Sequence, residues 1–179
     1  MGSYILFTLT ILGLFSAMML WAAYSDLTSY RLSNRLCLTT ALLYPLYLIA
    51  LYYEGHGLAL QTILITVGIS AVIFLICAVF FALNFMGGGD VKFIPVVALW
   101  AGTAHILPFL FITSIVGGLI AFILIIKNRI KASKYSKSSE NINLSMSQKE
   151  ESAVPYGVGI ALGGLYIAYQ LAKISYGTP

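Results

Sequence analysis

Charge is what this chain has least of. Only 9% of its 179 residues are Asp, Glu, Lys or Arg, while 60% are hydrophobic. Soluble domains carry about 25% charged residues, so the composition excludes a soluble fold and points to a membrane protein. The apolar runs leave no room for a separate soluble domain. Cysteine is scarce too: Cys37 and Cys77 lie in apolar stretches without metal-ligand spacing, and small buried packing roles suit them. The two histidines, His56 and His105, have no His-Glu zinc spacing, and no Gly-rich loop leads into the Lys-Ser/Thr pair that cradles phosphate. The expected inventory therefore holds no metal, no cofactor and no nucleic-acid partner.

The apolar segments are long, and their number sets the architecture. The first runs from about Tyr4 to Tyr24 and lacks the basic start of a signal peptide, so it reads as a retained span. Others follow at about Leu36 to Tyr53, Leu58 to Leu83, Val91 to His105, Ile106 to Ile126 and Val154 to Ile174. The fourth is at the short limit for a hydrocarbon core of ~30 Å, so Asp90 at its start is expected somewhat below the membrane surface. Between the fifth and sixth, residues 127–152 are rich in Lys, Ser and Asn and read as a mobile basic loop with at most a frayed helical start. In the last span Gly159 and Gly163 stand four apart, on one helix face, as close helix packing requires. The expected fold is a single all-α membrane domain over residues 1–179 with six transmembrane helices.

Loop charge orients it. Arg31, Arg35, Lys92, Lys127, Arg129, Lys131, Lys134, Lys137 and Lys149 fall on one side and only Lys173 on the other. The positive-inside rule makes the rich side cytoplasmic and leaves both termini outside. Asp26, Asp90 and Pro155-Tyr156-Gly157 then meet at one cytoplasmic membrane boundary. Of the six acidic residues, Glu54 is on the outer side and Glu140, Glu150 and Glu151 are in the polar loop. Only Asp26 and Asp90 are placed to form a pair.

The second of these sits in an unusual stretch, Asn84-Phe85-Met86-Gly87-Gly88-Gly89-Asp90-Val91-Lys92. Glycines there permit φ > 0 and close approach of another backbone, and an ionisable residue in a membrane is expensive enough to imply function. Two carboxyls that share a proton can act together: one takes a proton from water while the other donates to a carbonyl oxygen. That is hydrolysis without a covalent intermediate. Serine or cysteine catalysis lacks a histidine base on the same side.

These residues resemble a known family. Phe85-x-Gly87-x-Gly89-Asp90-x-Lys92 looks like the signature of the intramembrane GxGD aspartic proteases, in the form carried by type IV prepilin peptidases. Asp26 followed by Asn34 is similar to that family's first aspartate motif, and Pro155-Tyr156-Gly157 matches its late Pro-Tyr-Gly element. Where the family usually reads Ile-Pro-Asn, this chain has Leu32-Ser33-Asn34 and loses the proline. It also lacks the paired Cys-x-x-Cys motifs of larger, methylating members, so it is similar to the small peptidase-only enzymes that serve Flp (tight-adherence) pili.

The resemblance implies a bacterial cytoplasmic (inner) membrane enzyme that removes the short basic leader of a prepilin or pseudopilin, cutting after a Gly and ahead of an apolar helix with Glu near its start. Asp26 and Asp90 would be catalytic. Gly87, Gly88 and Gly89 would shape the site and let substrate backbone approach. Asn34, Pro155, Tyr156 and Gly157 would complete it, and Lys92 would meet an acidic substrate residue or a lipid phosphate. An archaeal-type preflagellin peptidase and a presenilin-like protease share this chemistry. A small transporter or proton-relay protein is the alternative from another class, and it predicts repeats and broken helices at the bilayer midplane.

Overall fold

The computed structural model describes residues 2–29, 32–136, 156–175 and 177, and it is all-helical. Five helices follow in order: α1 (Gly2–Ser29), α2 (Asn34–Tyr53), α3 (Leu60–Ala82), α4 (Gly88–Ser136) and α5 (Tyr156–Ser175). Among the described residues five helices are long and apolar enough to cross a membrane. Their outward faces carry Leu, Ile, Phe and Val in quantity, Leu75 and Phe111 among them. A helix that is apolar all round has no use for a water-facing stripe and belongs in lipid.

The fourth helix covers the stretch where two separate spans were expected. Gly102 interrupts it with φ 56° and ψ −165°, a left-handed φ that glycine adopts without the steric cost of a side chain. The limbs on either side are residues 88–101 and 103–136. The first rises about 20 Å at 1.5 Å per residue, short of a ~30 Å hydrocarbon core.

Several boundaries differ from expectation. α1 runs past the expected end near Tyr24 to Ser29, so Asp26 lies within the helix itself. α4 begins three residues early, at Gly88, and the segment expected to loop out from Lys127 stays helical to Ser136. The rest of that basic segment, and Pro155, lie outside the described residues. The glycine run itself is not left-handed. Among the described residues the one non-glycine with positive φ is Asn84, at 59°, where Asn serves as a left-handed stop after α3.

Packing organises the bundle around α5. It lies between α1 and α4, α2 crosses α1 and α4, and α3 touches α4 alone among the described helices. Glycines make the α4–α5 contact possible. A Cβ on Gly159 would lie 2.8 Å from the Thr113 carbonyl oxygen, and one on Gly163 would lie 2.7 Å from the Phe109 ring. At the other face, an aromatic knot joins α1, α2 and α4. Trp100 stacks on Phe15 at 4.2 Å, meets Tyr44 and Tyr47, and donates its Nε1–H to the Thr40 carbonyl. Beyond it, the Thr8 hydroxyl donates to the Glu54 carboxylate, which ties the start of α1 to the end of α2. The α3–α4 seam has one buried polar link, from Ser70 Oγ to the Pro95 carbonyl at 2.7 Å. Proline at 95 leaves the carbonyl one turn earlier without its helical donor, while its own carbonyl takes this cross-helix bond.

Two alanine substitutions should separate the packed glycines from the free ones. Gly118, on the same helix as Thr113, has nothing within 4 Å of where a Cβ would go, so Gly118→Ala should stabilise by roughly 0.5–1 kcal/mol through chain entropy. Gly159→Ala should destabilise by roughly 1–3 kcal/mol through overpacking. Thermal unfolding of the detergent-solubilised protein reads both signs. Equal shifts would mean that α4 and α5 are not in contact through Gly159.

Candidate active site

The two aspartates are delivered by different helices to one end of the bundle. Asp26 lies in the last turn of α1 and Asp90 in the first turn of α4. Both are buried, at 4% and 7% exposure, and Asp90 lies within electrostatic reach of Asp26. Two carboxylates in so apolar a shell are costly to keep unless something answers them.

For Asp26 the answer is the start of α5. The backbone N–H groups of Gly157 and Val158 face its carboxylate, and the N-terminal turn of a helix has N–H groups with no partner inside the helix. The approach is very close: a Cβ on Gly157 would lie 2.7 Å from Asp26 Cγ and 2.8 Å from Oδ2. Only glycine fits between this helix start and the carboxylate. Oδ2 is buried and has no hydrogen-bond partner among the described residues. Oδ2 is thus left uncommitted.

Asp90 is framed by the glycine run. A Cβ on Gly87 would lie 3.2 Å from Asp90 Oδ2, and Gly88 has only an ordinary contact with the Phe81 ring at 3.4 Å. Gly89 has a different neighbour from the one expected. Its bare face is filled by Leu32, whose Cβ, N and O lie 3.0, 3.2 and 3.3 Å from the position a Cβ would take. Gly89 thus admits this chain's own backbone, the loop before α2.

That loop is held in place without the family's proline. Ser33 caps α2, accepting from the Leu36 N–H at 3.2 Å with its backbone extended. Asn34, the next residue, accepts from Lys92 Nζ at 3.1 Å. The two sequence motifs are therefore joined directly, α2 to α4, at an exposed point beside the carboxylates. Tyr156 packs over Gly117, where a Cβ would lie 2.9 Å from its ring. It also lines a cavity of about 240 Å³ together with Cys77, Met86, Ile94 and Thr113. Pro155 lies outside the described residues.

Sequence reasoning missed several participants. Val158 contributes only a backbone N–H, and Leu32 only its bulk, so neither has a residue-type signature. Cys37 and Cys77 pack as expected, both as buried free thiols. Each lies within electrostatic reach of Asp90, and Cys37 of Lys92 as well, while Cys77 also lines the cavity beside Tyr156. The remaining polar groups gather elsewhere. Glu54, His56 and His105 line a second cavity of about 230 Å³ at the Gly102 break, the opposite end of the first α4 limb from Asp90. Among the described residues no three His, Cys, Asp or Glu side chains come together as metal ligands.

Two buried carboxyls from separate helices, one with an uncommitted oxygen, form an arrangement able to activate water and protonate a carbonyl. No curated protein and no solved structure matches the chain. The profile of the type IV leader peptidase family matches residues 13–122, a stretch that contains Asp26, Asn34, the glycine run, Asp90 and Lys92 and stops short of α5. With more than half of its length matched across both aspartates, the chain belongs to the type IV leader peptidase family.

Proposed function

We propose that this protein is a single-unit membrane aspartic endopeptidase that removes the short basic leader of Flp-type prepilins, cutting after Gly at the cytoplasmic boundary of the bacterial inner membrane. The observation that carries the reading is the convergence of Asp26 and Asp90, buried and mutually in range, at the end of the bundle where α5 begins. The family membership supports a leader peptide as substrate.

The chemistry then runs through the pair. One carboxylate accepts a proton from water as the water oxygen attacks the carbonyl carbon of the scissile Gly. The partner carboxyl donates its proton to the carbonyl oxygen, giving a neutral gem-diol. Collapse re-forms the carbonyl, breaks the C–N bond and passes a proton to the departing amine. The carboxyls exchange roles through the cycle, so both need a titratable oxygen. Asp26 Oδ2, which no protein donor among the described residues engages, is the atom suited to hold the water or the shared proton. Gly157 and Val158 orient Asp26, and the Lys92–Asn34 contact fixes the rim.

Six spans with both termini outside fit this reading, counting the limbs of α4 separately. The short first limb keeps Asp90 recessed yet within reach of cytoplasmic water. A transporter would place a helix break beside its carboxylates; here Gly102 breaks α4 at the far end from Asp90.

Coexpression with a Flp-type prepilin tests the chemistry. Asp26→Asn and Asp90→Asn should each abolish the shift of the precursor to mature size while the enzyme stays in the membrane. Normal processing by either variant removes that aspartate from the pair. Gly157→Ala should lower processing about 100-fold, because displacing Asp26 by even ~1 Å disrupts the geometry of attack. Unchanged processing with normal protein levels would show that α5 does not set the position of Asp26.

Thiol labelling in intact cells tests the orientation. In a background with Cys37→Ala and Cys77→Ala, a cysteine at Gly55 should react with a membrane-impermeant reagent and one at Ser29 should not. The reverse pattern would put the carboxylates on the wrong side for a leader retained in the cytoplasm.

A further inference from the structure

The cavity beside Asp90 is a groove more than a chamber, and its position follows from how α3 packs. Among the described helices α3 touches only α4, so none of them closes the space between α3 and the second α4 limb. Ile73, Ile76, Cys77 and Phe80 of α3 form one wall, and Leu110, Thr113 and Ser114 form the other. Ile94 lies between them. At the lower end stand Met86 and Tyr156, the chain neighbours of Gly87 and Gly157, and those glycines touch Asp90 and Asp26 respectively. The groove therefore ends one residue from each of the glycines that border the carboxylate pair, and Cys77 on its wall is within electrostatic reach of Asp90.

We propose that the groove between α3 and the second limb of α4 is the docking site for the apolar helix that follows the scissile bond in the substrate. This rests on the prepilin reading above and adds where and how the substrate is held. The walls are almost wholly apolar, which excludes the basic leader as occupant and suits a membrane-embedded helix. The volume of about 240 Å³ falls below the ~300–1,000 Å³ of pockets that enclose a whole ligand. It suits side chains from one face of a helix while the other face stays in lipid. Continuity with the aspartates sets the polarity: the first turn of the helix lies by Met86 and Tyr156, and later turns climb along Ile73 and Leu110. The residues just before the helix are then drawn out over Asp26 and Asp90.

Cys77 makes the test direct. With Cys37→Ala it is the only thiol in the chain, and Asp26→Asn holds the precursor uncut. Single cysteines walked through the first two turns of the precursor's apolar helix should form a disulfide with Cys77 under mild oxidation, at positions three or four apart. A lipid-facing thiol, Leu75→Cys with Cys77→Ala, should capture none of them preferentially. In the active enzyme, Ser114→Phe should lower processing of the full precursor roughly tenfold or more by filling the groove, with Leu119→Phe, on the same helix away from it, unchanged.

The outcomes separate docking from cleavage. If wild-type enzyme processes the precursor but no helix position reaches Cys77, or Leu75→Cys captures it equally, the groove is not the docking site and the peptidase reading stands. The groove is likewise ruled out if Cys77 is protected by lipid or by residues 137–155 of this chain while processing proceeds. If the wild-type enzyme fails to process the precursor at all, the prepilin reading itself falls, and the docking site with it.

Discussion

A carboxylate in a hydrocarbon-filled bundle must be answered by something polar, and the answer to Asp26 is a helix end. That contact between α1 and α5 fixes much else. The amides of Gly157 and Val158 reach the carboxylate only because position 157 has no side chain. Once the start of α5 is committed to Asp26, the rest of the helix must run between α1 and α4. It does so on further glycines, Gly159 and Gly163 against α4 and Gly164 against Met19 of α1. Lipid tails are as apolar as leucine and give helices no hydrophobic reason to associate, so close backbone packing takes over that task.

The second aspartate is positioned by the opposite device. Asp90 starts a helix instead of facing one, and its surroundings come from a loop. Gly89 accepts Leu32, Ser33 caps α2, and Asn34 takes the Lys92 ammonium. The loop between α1 and α2 thus holds Asp90 in place from one side while its preceding helix carries Asp26. The two carboxyls are coupled through the chain as well as through space. The proline that the family usually places in this loop would stiffen it through its fixed φ; here a serine cap supplies the order by a hydrogen bond.

How much of this is legible in the sequence depends on what has to be read. The apolar runs give the helices, because lipid demands length and hydrophobicity and little else. Scarcity gives the aspartates: with six acidic residues in the chain, two at matching ends of spans stand out. Contacts made by backbone are not legible. Neither the Val158 amide nor the Leu32 backbone against Gly89 leaves a mark on residue type. The glycine run misleads for the same reason, since glycine permits both positive φ and close contact, and only the fold decides. Close contact wins at Gly87 and Gly89, while Asn84 takes the left-handed turn. Helix ends are also blurred, because Ser25 to Ser29 look like a loop but continue α1.

The break at Gly102 turns the first limb of α4 into a ruler. One end is set by Trp100, locked among Phe15, Tyr44 and Tyr47 just before the break, and the other end carries Asp90. Between these fixed points, each residue gained or lost would lift or lower Asp90 by about 1.5 Å and swing it by roughly 100° about the helix axis. The aspartate would then face α3 or lipid instead of Asp26. Side-chain identity along the limb is constrained by packing at some positions, but its length is constrained everywhere. Insertions and deletions have no harmless place between Asp90 and Trp100.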